Sequence, residues 1–256
     1  IALEPIQSRD RFLPSRLDLA ESRADRDAVM RVLEEMRARS PRSPTSWLSL
    51  ADRALAEGDR TRALEVLSAA IAQEPTDMAD LRRVRTALGG AFELEAFRVR
   101  GEEAISAYRE ANASYDQPQV LVFDYSAIRV FEDMSSLQLV HQIYEARSDE
   151  AIDELGEFEP PGGAYLLTLQ TIKPDGARLE PELIEGKDTI SLPSLAVGDL
   201  VEMEYVRVLD PPAGLPNGVL GDRFYFASYE VPFFRSEQVL ITPPGVEVPV
   251  DPRGPA

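Results

Sequence analysis

Residues Tyr165–Tyr205 read YLLTLQTIKPDGARLEPELIEGKDTISLPSLAVGDLVEMEY. Apolar runs flank a Lys173-Pro174-Asp175-Gly176 turn, and another run follows Gly198-Asp199. Proline presets φ at the second turn position, Asp tolerates the next conformation, and Gly accepts the positive φ that closes a hairpin. Period-2 alternation puts Tyr165, Leu167 and Leu169 on one side of a strand and Leu166, Thr168, Gln170 and Ile172 on the other. Val201, Met203 and Tyr205 likewise oppose Glu202 and Glu204. An antiparallel sheet with one buried and one wet face accounts for this pattern. The stretch predicts a β-meander at the centre of a sheet domain.

Working outward, 256 residues are enough for two domains, each able to bury a core. A hydrophobic fraction of 44% and a charged fraction of 28% are those of a globular chain. No apolar run reaches the length of a membrane span. The sequence starts at Ile1 and ends VPVDPRGPA, which reads as a piece of a longer protein. With no cysteine, disulfides, thiolate metal sites and a cysteine nucleophile are excluded. The net charge of −18 is uneven. Residues 1–113 hold 18 Arg and no Lys against 20 acids, whereas 114–256 hold 9 basic residues against 25 acids. So acidic a domain repels phosphate backbones, which argues against a nucleic-acid partner.

Upstream of the meander the period is helical and an internal repeat emerges. Pro41 and Pro75 each end a helix-like run. Between them Trp47, Leu50, Ala51, Ala54, Gly58, Ala63, Leu67 and Ala70 fall on the spacing of the tetratricopeptide repeat. This unit, 44–77, resembles that family, with Gly58-Asp59 as the turn between its helices; Ala51, Ala54 and Leu67 stand where the family favours Gly, Tyr and Phe. Asp27–Arg39 fits the second helix of a preceding unit, whereas Pro14 and Arg16 interrupt its first. Leu81, Val84 and Leu88 share one face of a further helix that Gly89-Gly90 ends. Trp47 stands at the inter-helix packing position, which favours a core role over ligand stacking. A peptide-carboxylate clamp of arginines is the sharper reading of the basic residues here, and scattered solvated arginines the plainer one. A helix over Gly101–Asn112 precedes a polar stretch to Pro118, where the domain boundary is expected.

After Pro118 the period changes to 2. Strands are expected at Val120–Asp124, Ala127–Phe131, Leu137–Ala146, Phe224–Val231 and Gln238–Thr242, with a short helix to Leu155 capped near Ser148. Pro211–Gly221 reads as an exposed loop. The fold class expected is α+β and multidomain: an N-terminal α-helical TPR-like array over 1–113, then an antiparallel β-sandwich-like domain over 114–256.

The segments VLVFDYSAIRVFED, LVHQIYEARSDEAIDELGE, TIKPDGARLEPELIEGKDTISLPSLAVGDLVEMEY and GDRFYFASYEVPFFRSE occur in this order. Together, over Gln117–Pro244, they resemble a bacterial domain of unknown function that precedes transglutaminase-like catalytic domains of papain fold. The resemblance implies a non-catalytic β-rich module in exported or envelope-associated proteins, often with tetratricopeptide repeats upstream. It implies a periplasmic or cell-envelope location and a transglutaminase-like domain further along the chain. The catalytic Cys, His and Asp would belong to that neighbour, so no catalytic residue carries over.

Three constellations within the chain could carry chemistry. His141, the only histidine, shares a strand face with Leu137, Leu139 and Ile143, where a buried, hydrogen-bonded structural role is the plainer reading. A triad also needs a nucleophile and an orienting acid, and no GxSxG elbow supplies one. Glu202 and Glu204, with Glu180, Glu182 and Glu185 before them, supply carboxylates for glycoside hydrolysis. Neighbours on one strand do not face each other across a sugar, so a wet sheet face is expected instead. Asp175, Asp188, Asp199 and Asp222 offer oxygen ligands for calcium, but most stand in turn contexts and none has EF-hand spacing. Phosphate-cradling glycine motifs are absent.

The sequence therefore predicts no catalytic, cofactor-binding or metal-binding residue, and no cofactor. The expected function is non-catalytic interaction and scaffolding: a protein or peptide partner on the helical repeats, and a β module that positions a downstream transglutaminase-like or protease-like domain. The alternative is a stand-alone carbohydrate- or peptide-processing hydrolase using Glu202/Glu204 or His141.

Overall fold

The computed structural model describes residues 12–41, 43–73, 79–90, 93–132, 134–162, 164–210, 224–228 and 230–246. The chain divides into two compact units, Ile1–Phe92 and Glu93–Ala256. Together they make an α+β protein, helical first and then sheet-based.

In the first unit the described helices are α1 (Leu13–Ser22), α2 (Arg26–Arg39), α3 (Pro44–Ala56), α4 (Arg60–Ile71) and α5 (Ala79–Ala87), each packed on the next. Pro14 does not spoil α1. It sits in the first turn, where its missing N–H has no intrahelical partner to lose. Asp25 and Asp59 cap α2 and α4 by accepting from the Ala28 and Arg62 backbone N–H groups at 3.0 and 2.9 Å. Gly58 takes a φ of +77° between α3 and α4, a conformation that favours glycine. Trp47 is buried with Ala51, Ala63 and Leu67 and donates its indole N–H to Pro41 O at 2.8 Å, so it is a core residue. Pro75 and Asp77, used in the repeat spacing, lie outside the described residues.

The second unit is built on a six-stranded sheet in the order β5-β4-β7-β2-β1-β8. Its strands are β1 (Gln119–Val130), β2 (Ser136–Ala146), β4 (Ala164–Ile172), β5 (Arg178–Leu179), β7 (Leu200–Leu209) and β8 (Ser236–Ile241). A two-stranded sheet pairs β3 (Glu157–Phe158) with β6 (Ile190–Ser191). The helices are α6 (Gly101–Ala111), which packs on β1, and α7 (Asp149–Leu155), which packs on β2. Ser148 caps α7 by accepting from Ala151 N–H at 3.2 Å. The Lys173–Gly176 turn joins β4 to β5, with Lys173 N–H donating to Ala177 O and Gly176 at a φ of +90°.

Several expectations are corrected. The large sheet is mixed, not purely antiparallel, because β8 runs parallel to β1. A hairpin would have forced the antiparallel sense, but β8 arrives by a long connection from β7, which leaves either direction open. Residues 119–130 form one continuous strand, because Asp124 and Ser126 find partners on β2 and do not break it. Residues 224–228 form no strand, and Pro211–Gly221 lies outside the described residues. A bulge between Leu166 and Thr168 breaks the simple alternation of β4 and turns Tyr165 to the side of Thr168, Gln170 and Ile172. The two compact units meet at Phe92/Glu93, and α6 packs on the sheet.

Register sorts the sheet into two faces. One carries Phe123, Tyr125, Leu139, His141, Ile143, Gln170, Glu202 and Glu204. The other carries Asp124, Ser126, Gln138, Gln142, Tyr144, Leu169, Val201, Met203 and Tyr205. Fully buried Phe123, Leu139 and Ile143 anchor the first face, each contributing about 1.5–3 kcal/mol by leaving water. Leu169, Leu192, Val201 and Met203 form a cluster on the second, with Leu155 of α7 and Phe158 and Ile190 of the small sheet packed against it.

Candidate functional site

The residues picked out as candidate acid–base groups do converge. His141 on β2 stands directly opposite Glu204 on β7, and Glu202 follows two register steps away on the same face. They do not face water: His141, Glu202 and Glu204 are 3%, 5% and 3% exposed. The expected wet face is therefore a buried one, and this expectation is corrected. Its cover is the stretch from Glu93 through α6. Gly101, the first residue of α6, comes so close that an added Cβ would stand 2.5 Å from Ile143 Cδ1 and 2.7 Å from Glu202 Oε1.

Ionic partners make that burial tolerable. Arg98 grips Glu204 with two N–H groups, Nε to Oε1 at 2.9 Å and Nη2 to Oε2, and Thr168 adds a hydroxyl donor. Glu202 accepts from His141 Nε2 at 3.0 Å, from the Gln170 amide and from Arg178 Nη1 at 3.0 Å. Arg178 also reaches Glu102 on α6 at 2.8 Å. His141 Nδ1 donates to Val99 O at 3.0 Å, and Tyr125 donates to Phe97 O at 2.8 Å. Both ring nitrogens of His141 are thus engaged, Nδ1 by a backbone carbonyl and Nε2 by the Glu202 carboxylate.

These contacts also set what the cluster can do. Burial alone would raise the Glu202 carboxyl. The hydrogen bonds from His141 and Gln170 and the charges of His141 and Arg178 outweigh it, and the group is held below the usual carboxylate range. A general acid for glycoside hydrolysis needs the opposite displacement. Neither ring nitrogen of His141 is left over for a substrate. The arrangement is suited to fastening the Glu93–Ala111 segment to the sheet.

The other carboxylates are dispersed. Asp175 accepts from Ala177 N–H at 2.9 Å and shapes the β4–β5 turn. Asp199 is buried against Lys173 and the Ala196 N–H. Asp188, Glu180, Glu182 and Glu185 are exposed, and Asp222 lies outside the described residues. Among the described residues no three His, Cys, Asp or Glu side chains are grouped to hold a metal ion. No described helix is long and apolar enough to cross a membrane.

The opposite face holds a feature the sequence reading missed. A cavity of about 730 Å³ opens there, floored by Asp124, Ser126, Gln138 and Gln142 and walled by aromatic residues of the segment before β8. Gln138 donates to Ser126 Oγ at 3.0 Å and accepts from Arg207, while Gln142 donates to Asp124 Oδ1 at 2.9 Å. The available signal was a set of polar residues on one strand face, Asp124 and Ser126 on β1 with Gln138 and Gln142 on β2.

No family model matches the chain, and no curated protein does. Among solved structures the chain is similar to a proposed protease from Parabacteroides distasonis, at 12% identity and a TM-score of 0.29. The match covers 37% of this chain and 24% of that one, a likeness that carries no argument about function.

Proposed function

We propose that this chain is a non-catalytic interaction and scaffolding module. Its helices act as a tetratricopeptide-type array that takes a protein or peptide partner. Its sheet unit positions a transglutaminase-like or protease-like domain in the same polypeptide. The observation that carries this reading is the ionic cluster beneath α6. The one histidine and the two central glutamates are each committed to a structural partner, so the groups a hydrolase would use serve to hold the sheet's cover in place. The tetratricopeptide part rests on the spacing of unit 44–77 and on the paired helices α3 and α4 at those positions.

The test is an assay of the purified 256-residue chain against peptide, ester and glycoside substrates, beside His141→Ala and Glu202→Gln. The expected result is no turnover by any of the three, with lowered thermal stability in the two variants. Turnover by the unaltered chain that disappears in a still-folded Glu202→Gln variant would overturn the proposal and favour the hydrolase alternative.

A further inference from the structure

Among the described residues of the sheet unit, four carboxylates are more than nine-tenths buried: Asp124, Asp199, Glu202 and Glu204. Three of them meet a cationic side chain. Lys173 faces Asp199, Arg98 faces Glu204, and Arg178 faces Glu202. Asp124 is the exception. Its side chain accepts from the neutral Gln142 amide, and no cation of the described residues pairs with it: Arg207, which lines the same cavity, donates to Gln138 instead. A buried carboxylate without a counter-charge is costly, and folded proteins rarely keep one without a use for it.

Its surroundings say what is missing. Asp124 is held by β1, between β2 and β8, and lines the 730 Å³ cavity. Tyr144 and Tyr205 line the same space, and both phenols feel the Asp124 charge. Phe224, Tyr225 and Phe233 complete an aromatic wall. A carboxylate within aromatic rings suits a cation, through charge-assisted hydrogen bonding at the acid and attraction to the ring faces. The volume suits an organic molecule rather than a bare metal ion, and among the described residues no acids and histidine gather there to hold a metal.

We propose that this cavity binds an organic cation, a primary ammonium group on an alkyl stem, with Asp124 as its counter-ion and the tyrosine rings around the stem. The ammonium belongs either to a free alkylamine or to a lysine side chain of a peptide. The inference does not rest on the scaffolding reading, and its test leaves that reading untouched.

The experiment titrates the 256-residue chain, followed by NMR and calorimetry, with three probes: n-pentylamine, Nα-acetyl-lysine methylamide and the neutral Nα,Nε-diacetyl-lysine methylamide. At least one ammonium probe saturates, and the neutral analogue binds at least about tenfold more weakly, as loss of a buried charge pair requires. Asp124→Asn, which keeps an acceptor for Gln142, weakens ammonium binding by a similar factor while remaining folded. Tighter binding of the lysine derivative assigns a peptide side chain, and tighter binding of pentylamine assigns a free amine. No saturation by either ammonium probe, equal binding of the neutral analogue, or unchanged affinity in Asp124→Asn overturns the proposal.

Discussion

The two faces of the six-stranded sheet handle buried charge in opposite ways. Beneath α6, Glu202 and Glu204 are compensated by His141, Arg178 and Arg98, and that face is closed. On the other side Asp124 is nearly as buried, has only the Gln142 amide as a side-chain partner among the described residues, and looks into a cavity. The same strands supply both faces, so the difference lies in what covers them. A sheet can hold an acid for cohesion on one side and keep another in reserve for a ligand on the other. The price of that reserve is stability.

The contrast breaks most readily at His141. His141→Ala leaves Val99 O without its donor, removes one of the partners of Glu202 and opens a void beside Phe123, whose ring lies 5.4 Å from the imidazole. The expected loss is about 3 kcal/mol, typical of truncating one member of a buried ionic group. All eight tyrosines fall in the sheet unit and the sole tryptophan in the helical one. Tyrosine absorbance during urea unfolding therefore follows the affected unit. A loss below about 1 kcal/mol would mean that the cluster is incidental to holding the cover.

Next in size comes Gly101→Ala. The new methyl group would overlap Ile143 Cδ1 and Glu202 Oε1, so these two buried side chains or the start of α6 must shift. Overpacking of this kind costs about 1–3 kcal/mol. Hydrogen exchange should quicken at the amides of α6 and leave the β1–β8 pairing protected. Equal protection throughout would place the close approach of helix and sheet in doubt.

How much of this contrast was legible in the sequence follows from the range of the forces involved. The Lys173–Gly176 turn was readable because its chemistry is local. The helices and the Ser148 cap were readable for the same reason, as was the shared face of His141, Leu139 and Ile143, which follows from a period of 2. Alternation tells which residues sit together but not which side is wet. Glu202 and Glu204 look solvated in sequence, and only Arg98, more than a hundred positions earlier, and Arg178 reveal that they are enclosed. Asp124 looked like the end of a strand, because no local signal announces an acid in mid-strand between two paired neighbours. The parallel sense of β8 was out of reach too, since a long connection carries no directional signal.

Acid titration separates the faces by sign. The folded-state pKa of Glu202 lies below its unfolded value, so its contribution to stability is present above the unfolded pKa, about 4.3, and is lost as pH falls through the folded one. Glu202→Gln should flatten the acid limb of a stability–pH curve and lower stability at neutral pH. An acid limb as steep as that of the unaltered protein would show that other carboxylates control it.

The smallest expected effect has the opposite direction. Burial pushes the Asp124 carboxyl up, and the Gln142 hydrogen bond only partly opposes this. For an acid with a raised folded pKa, ionisation favours the unfolded chain. The cost is absent below the unfolded value, about 3.9, and is fully developed once pH passes the folded one. Asp124→Asn should therefore raise the Tm at pH 7 by less than the other substitutions lower it, and leave the Tm at pH 3 unchanged. A neutral-pH gain together with lost ammonium binding is the signature of a charge kept for a ligand at the expense of the fold. A Tm at pH 7 below that of the unaltered protein would mean that Asp124, like Glu202, earns its place through contacts within the sheet.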